Sequence, residues 1–274
     1  MHTVLAAWDW RLSVILGCLG LFAAYALLLR FQFTQRFVWF LLGVAFLLLG
    51  LVSPLNVLAR RYLYSAQSIQ YLMLGFVVPG LLVLSLPGPV LERALRLPWI
   101  RAIEDIVKHP ATGFIAAFGA MIVFHLPRVF DAVQATGGLH RTAMIWFMIS
   151  GALFWWPVIA PLKTERLKPV PAGAVYLIAA CVVWSLASIV ITFTRMGDYH
   201  TYFNPADSLG ILPALRETWG FTNDVDQETG GTFLWVGGCM IFSSTVMALF
   251  IQWYRSSEVK NEFAPKPEEA RKAG

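Results

Sequence analysis

Seven blocks of mostly apolar residues punctuate this chain, near 12–29, 37–57, 66–86, 111–127, 142–162, 173–194 and 233–254. Each is close to the roughly 20 residues a helix needs to cross the hydrocarbon core of a bilayer. Inside lipid a helix satisfies its own backbone hydrogen bonds, so blocks of this length are expected to be helical. A transmembrane barrel would instead show short alternating segments, and these blocks do not alternate. Charged residues make up only 14% of the chain, against about 25% in a soluble domain. The expectation is an all-α polytopic membrane protein, a seven-transmembrane-helix bundle. One membrane domain would span residues 1–254, and 255–274 would be a charged, disordered cytoplasmic tail. The first block does not read as a signal peptide: Arg11 is offset by Asp9, and Arg30 follows without a small-residue cleavage site.

Lys and Arg counts in the loops set the expected orientation. With the N-terminus outside and the C-terminus in the cytoplasm, the inner segments carry fourteen basic residues and the outer ones seven. The net charge of +5 then reflects topology, and no nucleic-acid partner is expected, since a nucleic-acid reader clusters its basic residues on a soluble face. The expected setting is a bacterial-type inner (plasma) membrane, with the lipid bilayer as first partner. The inner loop 87–110 mixes Leu91, Leu95, Trp99 and Ile103 with Arg93, Arg96, Arg101 and Lys108, as an amphipathic helix on an anionic leaflet does. The outer segment 195–232 is acidic and rich in aromatics, a pattern suited to capping the bundle, to meeting a basic or metal-bearing partner, or equally to a solvated acidic loop. Cys18, Cys181 and Cys239 fall in different helices with no CxxC pair; they read as small buried hydrophobes without a redox role. Gly230, Gly231, Gly237 and Gly238 open the seventh block and point to close helix packing.

Polar residues at membrane depth are costly and mark candidate functional positions. Gln67, Gln70 and Tyr71 lie at i, i+3 and i+4, on one face at the outer end of the third block. His125 ends the fourth block and His140 starts the fifth, both also on the outer side. The topology therefore delivers all five to one outer layer. Each residue alone has a structural explanation: a glutamine bridging helices, a tyrosine anchoring an interface, a histidine capping a helix end.

The stretch Ser53-Pro54-Leu55 with residues 62–87 resembles the CtaG family of cytochrome c oxidase assembly proteins. So do His125-Leu126-Pro127, Leu139-His140, Phe154-Trp155-Trp156-Pro157, and Asp226-Gln227 with Gly230-Gly231 and Leu234-Trp235-Val236. The similarity covers roughly residues 40–250 and implies a seven-helix protein associated with copper delivery during haem-copper oxidase maturation. The third helix of that family typically carries a His-Met-x-Gln-His pattern. Here those positions read Gln67-Ser68-Ile69-Gln70-Tyr71, and a further family histidine one turn after His140 is replaced by Met144. The resemblance leaves His125, His140 and Met144 as metal candidates, with Gln67, Gln70, Tyr71, Asp226 and Gln227 as an outer polar cluster. Imidazole and thioether suit copper, whereas amide and phenol oxygens are poor Cu(I) ligands.

Two readings follow. One is a membrane-embedded assembly factor for a haem-copper cytochrome c oxidase, acting in copper delivery or maturation. The other is a degenerate family member serving, without bound metal, as a structural subunit of a respiratory or other membrane redox complex. The missing histidines make absence of copper the slightly stronger expectation. A retinal protein is excluded because the seventh block has no lysine for a Schiff base. Neither a nucleophile–base pair, a phosphate loop nor a carboxylate pair within a helix is found, so no enzyme is expected.

Overall fold

The computed structural model describes residues 6–29, 34–168, 170–193, 199–203 and 205–262. Among these the regular structure is helical: α1 (Leu12–Leu29), α2 (Gln35–Val52), α3 (Pro54–Arg61), α4 (Tyr64–Ser85), α5 (Gly88–Ala94), α6 (Pro98–Val107), α7 (Pro110–His125), α8 (Pro127–Ala135), α9 (Gly137–Ile159), α10 (Val170–Thr192), α11 (His200–Phe203) and α12 (Asn223–Glu262). The seven apolar blocks all fall on helices, the second of them on two, α2 and α3. Among the described residues, five helices are long and apolar enough to cross a membrane: α2, α4, α9, α10 and α12. The pair α6–α7 qualifies only as one segment bent by 67°, and the apolar run Leu12–Leu28 of α1 is a shorter one.

Prolines set several boundaries. The second block was expected to run unbroken to 57, but α2 stops at Val52. Pro54 opens α3 there as its first residue, and the Ser53 hydroxyl accepts the Leu55 N–H at 3.2 Å. Within α4, Pro79 has no N–H to give the carbonyl of Gly75, and Met73–Val77 widens into a π turn just ahead of it. The chain uses the resulting bulge. Trp155 Nε1 donates to Phe76 O at 2.8 Å, and Gly151 of α9 sits so close that a Cβ there would lie 1.8 Å from Gly75 O. Below this contact Phe76, Phe154, Trp184 and Phe242 pack edge to face or tilted, all almost fully buried.

The ends of the bundle collect different loops. At one end Arg36 donates to Leu86 O, and Arg101 pairs with Glu165 at 3.3 Å. At the other, Asp9 meets Asn56, Arg61 meets Ser208, and Tyr199 donates to His125 O. The structure thus gathers the segments expected inside at one end and those expected outside at the other. The amphipathic helix anticipated in 87–110 is α6: Trp99, Ile103 and Ile106 are exposed on one side while Glu104 is buried on the other.

The seventh helix outruns its expected end. The segment from Arg255, read from sequence as disordered, continues α12 to Glu262; the rest of the tail, 263–274, lies outside the described residues, as do 195–198 and 204 of the acidic outer segment. Charged residues spaced along a helix that leaves the apolar layer extend it as readily as they break it, since Glu and Lys are good helix formers.

Candidate functional site

At the end of the bundle that holds Asp9 and His125, the first turns of α4 are buried almost completely; Gln67 and Gln70 have no exposed surface. Their side chains diverge. Gln70 turns toward α2 and α3, donating from Nε2 to Gly50 O at 2.6 Å and to Asn56 Oδ1 at 3.0 Å. Asn56 in turn donates to Asp9 Oδ2 at 2.9 Å. Gln67 turns the other way, where its Oε1 accepts from Gln134 Nε2 at 3.1 Å. The same Gln134 Nε2 donates to the Tyr202 hydroxyl at 2.8 Å, which in turn donates a hydrogen bond to Ala59 O. Gln134 Oε1 accepts from His140 Nδ1 at 2.9 Å. One chain of hydrogen bonds therefore ties α4, α8, α9, α11 and α3 together. Gln134 is its hub, a residue the sequence reading missed because it lies in a short helix outside the apolar blocks.

Tyr71 and His125 form a second half. Their rings meet edge to face with centroids 5.3 Å apart, and Tyr71 stacks on Phe147 at 4.6 Å. His125 Nδ1 donates to Met121 O at 2.7 Å, so Nε2 carries the lone pair, and that atom has no hydrogen-bond partner among the described residues. The Tyr71 hydroxyl lies beside the Gln67 amide one turn away, yet neither it nor Gln67 Nε2 has a partner in bonding geometry. Met144 is buried one turn beyond His140.

Asp226 serves a different purpose. Its Oδ2 accepts the Tyr64 N–H at 2.7 Å, and its Oδ1 accepts the Ser65 N–H at 3.0 Å and the Ser65 hydroxyl at 2.6 Å. The carboxylate of α12 is thus the cap of α4, whose free N–H groups and dipole favour an anion. Gln227 beside it borders a cavity of about 20 Å³ between Tyr64 and Tyr202, large enough for one water.

The surroundings of this end are partly desolvated. Burial, with help from nearby Arg11, lowers the Arg60 guanidinium from its ordinary value, and burial lowers Arg216 in the same direction. Burial pushes the Tyr202 phenol well above its ordinary range, so it stays a hydrogen-bond donor.

As a metal site the arrangement offers few donors. The described residues contain no group of three His, Cys, Asp or Glu side chains placed to hold an ion. His125 and His140 each have Nδ1 tied to an oxygen, which leaves Nε2 as the donor atom, the usual preparation of a ligating histidine. Gln67 and Tyr71 supply an amide and a phenol, which suit copper poorly.

The chain is 24% identical to an uncharacterised protein of Mycobacterium leprae over 215 residues, covering 70% of this chain and 30% of that protein. It is 22% identical to uncharacterised proteins of Mycobacterium bovis and Mycobacterium tuberculosis over 270 residues, covering 90% of this chain and 39% of each. The chain thus spans about a third of the length of these relatives. No solved structure matches it. Residues 20–256 match the profile of the cytochrome c oxidase caa3 assembly factor family, CtaG. A multi-pass arrangement of apolar helices and a match over most of the chain together make this protein a member of the cytochrome c oxidase caa3 assembly factor family.

Proposed function

We propose that the chain matures a haem-copper cytochrome c oxidase from within a bacterial inner membrane, crossing it seven times with its N-terminus outside, and that it does so without a resident copper ion on the positions where the family carries histidines. It acts by binding oxidase subunits, not by catalysis. The observation that carries the metal-free reading is the hydrogen-bond chain Gln67–Gln134–His140 with Tyr202. Position 67 is spent on linking helices, and position 71 is a phenol packed against Phe147 and His125. These bonds tie five helices at the bundle end to one another without needing a metal.

A second reading has its own support. The Nε2 lone pair of His125 is buried and unpartnered among the described residues, and His140 has the same tautomer. Copper delivery would then use His125, His140 and Met144, two imidazoles and a thioether. Permanent residence as a structural subunit of the oxidase is a third outcome.

The test is deletion of the gene in the source cell, with the assembled oxidase followed by its haem spectrum and subunit content. An assembly factor predicts loss of mature oxidase and recovery of this protein largely free of it. Fixed-stoichiometry copurification with the mature complex assigns it as a subunit. Normal oxidase in the deletion strain rejects the maturation role.

A further inference from the structure

The sequence gives no reason to pair the cysteines, which lie in separate helices, but the fold brings two of them together. Helices α10 and α12 touch along their length because small residues let them. A Cβ on Gly238 would lie 2.2 Å from Trp184 Nε1, and one on Gly231 would lie 2.2 Å from the Thr192 hydroxyl. Trp184 Nε1 donates across the seam to Leu234 O at 2.6 Å. In the same seam Cys181 Sγ and Cys239 Sγ stand 2.7 Å apart. That is closer than two unbonded sulfurs rest, and a small movement from the S–S bond of about 2.05 Å. Ser185 completes the group: its hydroxyl donates to Cys181 O at 2.7 Å and lies 3.1 Å from Cys239 Sγ, where its oxygen accepts a hydrogen bond from the thiol.

We propose that Cys181 and Cys239 are a thiol–disulfide couple that a lipid-soluble quinone oxidises, locking α10 to α12. The choice of oxidant follows from place, and rests on α10 and α12 crossing the membrane. Cys181 is the twelfth of 23 residues in α10, about 16 Å from either end at 1.5 Å per residue. Charged, water-borne oxidants do not reach that depth. Both cysteines are only half-buried, and exposed Val182 and Met240 flank them, so the pair borders the acyl chains in which an uncharged two-electron acceptor dissolves. The balance is complete: two S–H bonds break, one S–S bond forms, and two electrons and two protons pass to the quinone oxygens to give the quinol. Oxidation would join the helix that carries Asp226, the cap of α4, covalently to its neighbour, coupling bundle rigidity to the oxidation state of the membrane quinone.

The experiment uses the full chain in lipid nanodiscs, reduced with an uncharged trialkylphosphine and freed of it. Decylubiquinone is added without oxygen, and thiols are counted with maleimide after denaturation. The expected result is a fall from three thiols to one, one quinol formed per chain, and a peptide map linking Cys181 to Cys239. Cys181→Ser and Cys239→Ser should each keep both remaining thiols. Three thiols persisting in the unmodified chain, or Cys18 bridged as readily as the others, would overturn the pairing. Closure by ferricyanide as fast as by decylubiquinone would overturn the membrane route.

Discussion

Asp226 caps a helix that begins more than 160 residues before it: both its carboxylate oxygens close on Tyr64 and Ser65, at 2.6–3.0 Å. The first turn of α4 carries Gln67 and, one turn on, Gln70 and Tyr71, so this contact between α12 and α4 anchors the helix that supplies three members of the outer cluster. Asp226→Ala should cost about 1–2 kcal/mol, the usual worth of a helix cap, with a further cost for the buried Ser65 hydroxyl left without its acceptor. Asp226→Asn should recover part of it. Thermal unfolding in detergent checks the order; an alanine variant as stable as the unmodified chain would contradict the capping role.

Close packing predicts a second set of outcomes. Gly151→Ala places a methyl against the Gly75 carbonyl, and Gly238→Leu drives a side chain into the Trp184 ring. Each should destabilise by about 1–3 kcal/mol, the range for overpacking. Met240→Ala, on an exposed face, should be nearly silent. Leu249 lies on the same helix but is half-buried against Gly173, so its truncation to alanine should be felt as well. Monodispersity and melting temperature of the four variants compare them directly.

These cases mark what the sequence reveals and what it hides. The apolar blocks and the outer-layer grouping of Gln67, Tyr71, His125 and His140 follow from length and alternation of helix direction alone. Direction within the layer does not: the roughly 60° between residues three apart on an ideal helix is enough to send Gln70 to Asn56 while Gln67 meets Gln134. Gln134 itself carries no periodic signal, because it lies in a nine-residue helix between apolar blocks. The Cys181–Cys239 pair was equally hidden, since sequence spacing within each helix says nothing about which faces of α10 and α12 meet.

Orientation has its own prediction. Reporter fusions after residues 60, 135 and 215 should be external, and those after 100, 166 and 265 cytoplasmic, as the basic-residue bias requires. The structure groups the first three near one end and the residues around 100 and 166 near the other. A consistent inversion of signals would turn the cluster to face the cytoplasm and remove it from the side expected for oxidase maturation.

If amide and phenol stand where the family holds histidines, restoring the imidazoles should restore affinity. Gln67→His with Tyr71→His is expected to bind Cu(I) more tightly than the unmodified chain, read by competition with a chromophoric chelator. Loss of the Gln67–Gln134 bond should accompany it as lower thermal stability in the absence of metal. Unchanged affinity in a folded double variant would mean that these positions do not face a metal.

The most direct measurement is the copper content per chain of the unmodified protein, purified from copper-replete cells, beside His125→Ala. A hydrogen-bond network in place of a metal centre predicts far less than one copper per chain, unchanged by the substitution. One copper per chain, lost in His125→Ala while the variant stays folded, would contradict it and assign His125 as a ligand.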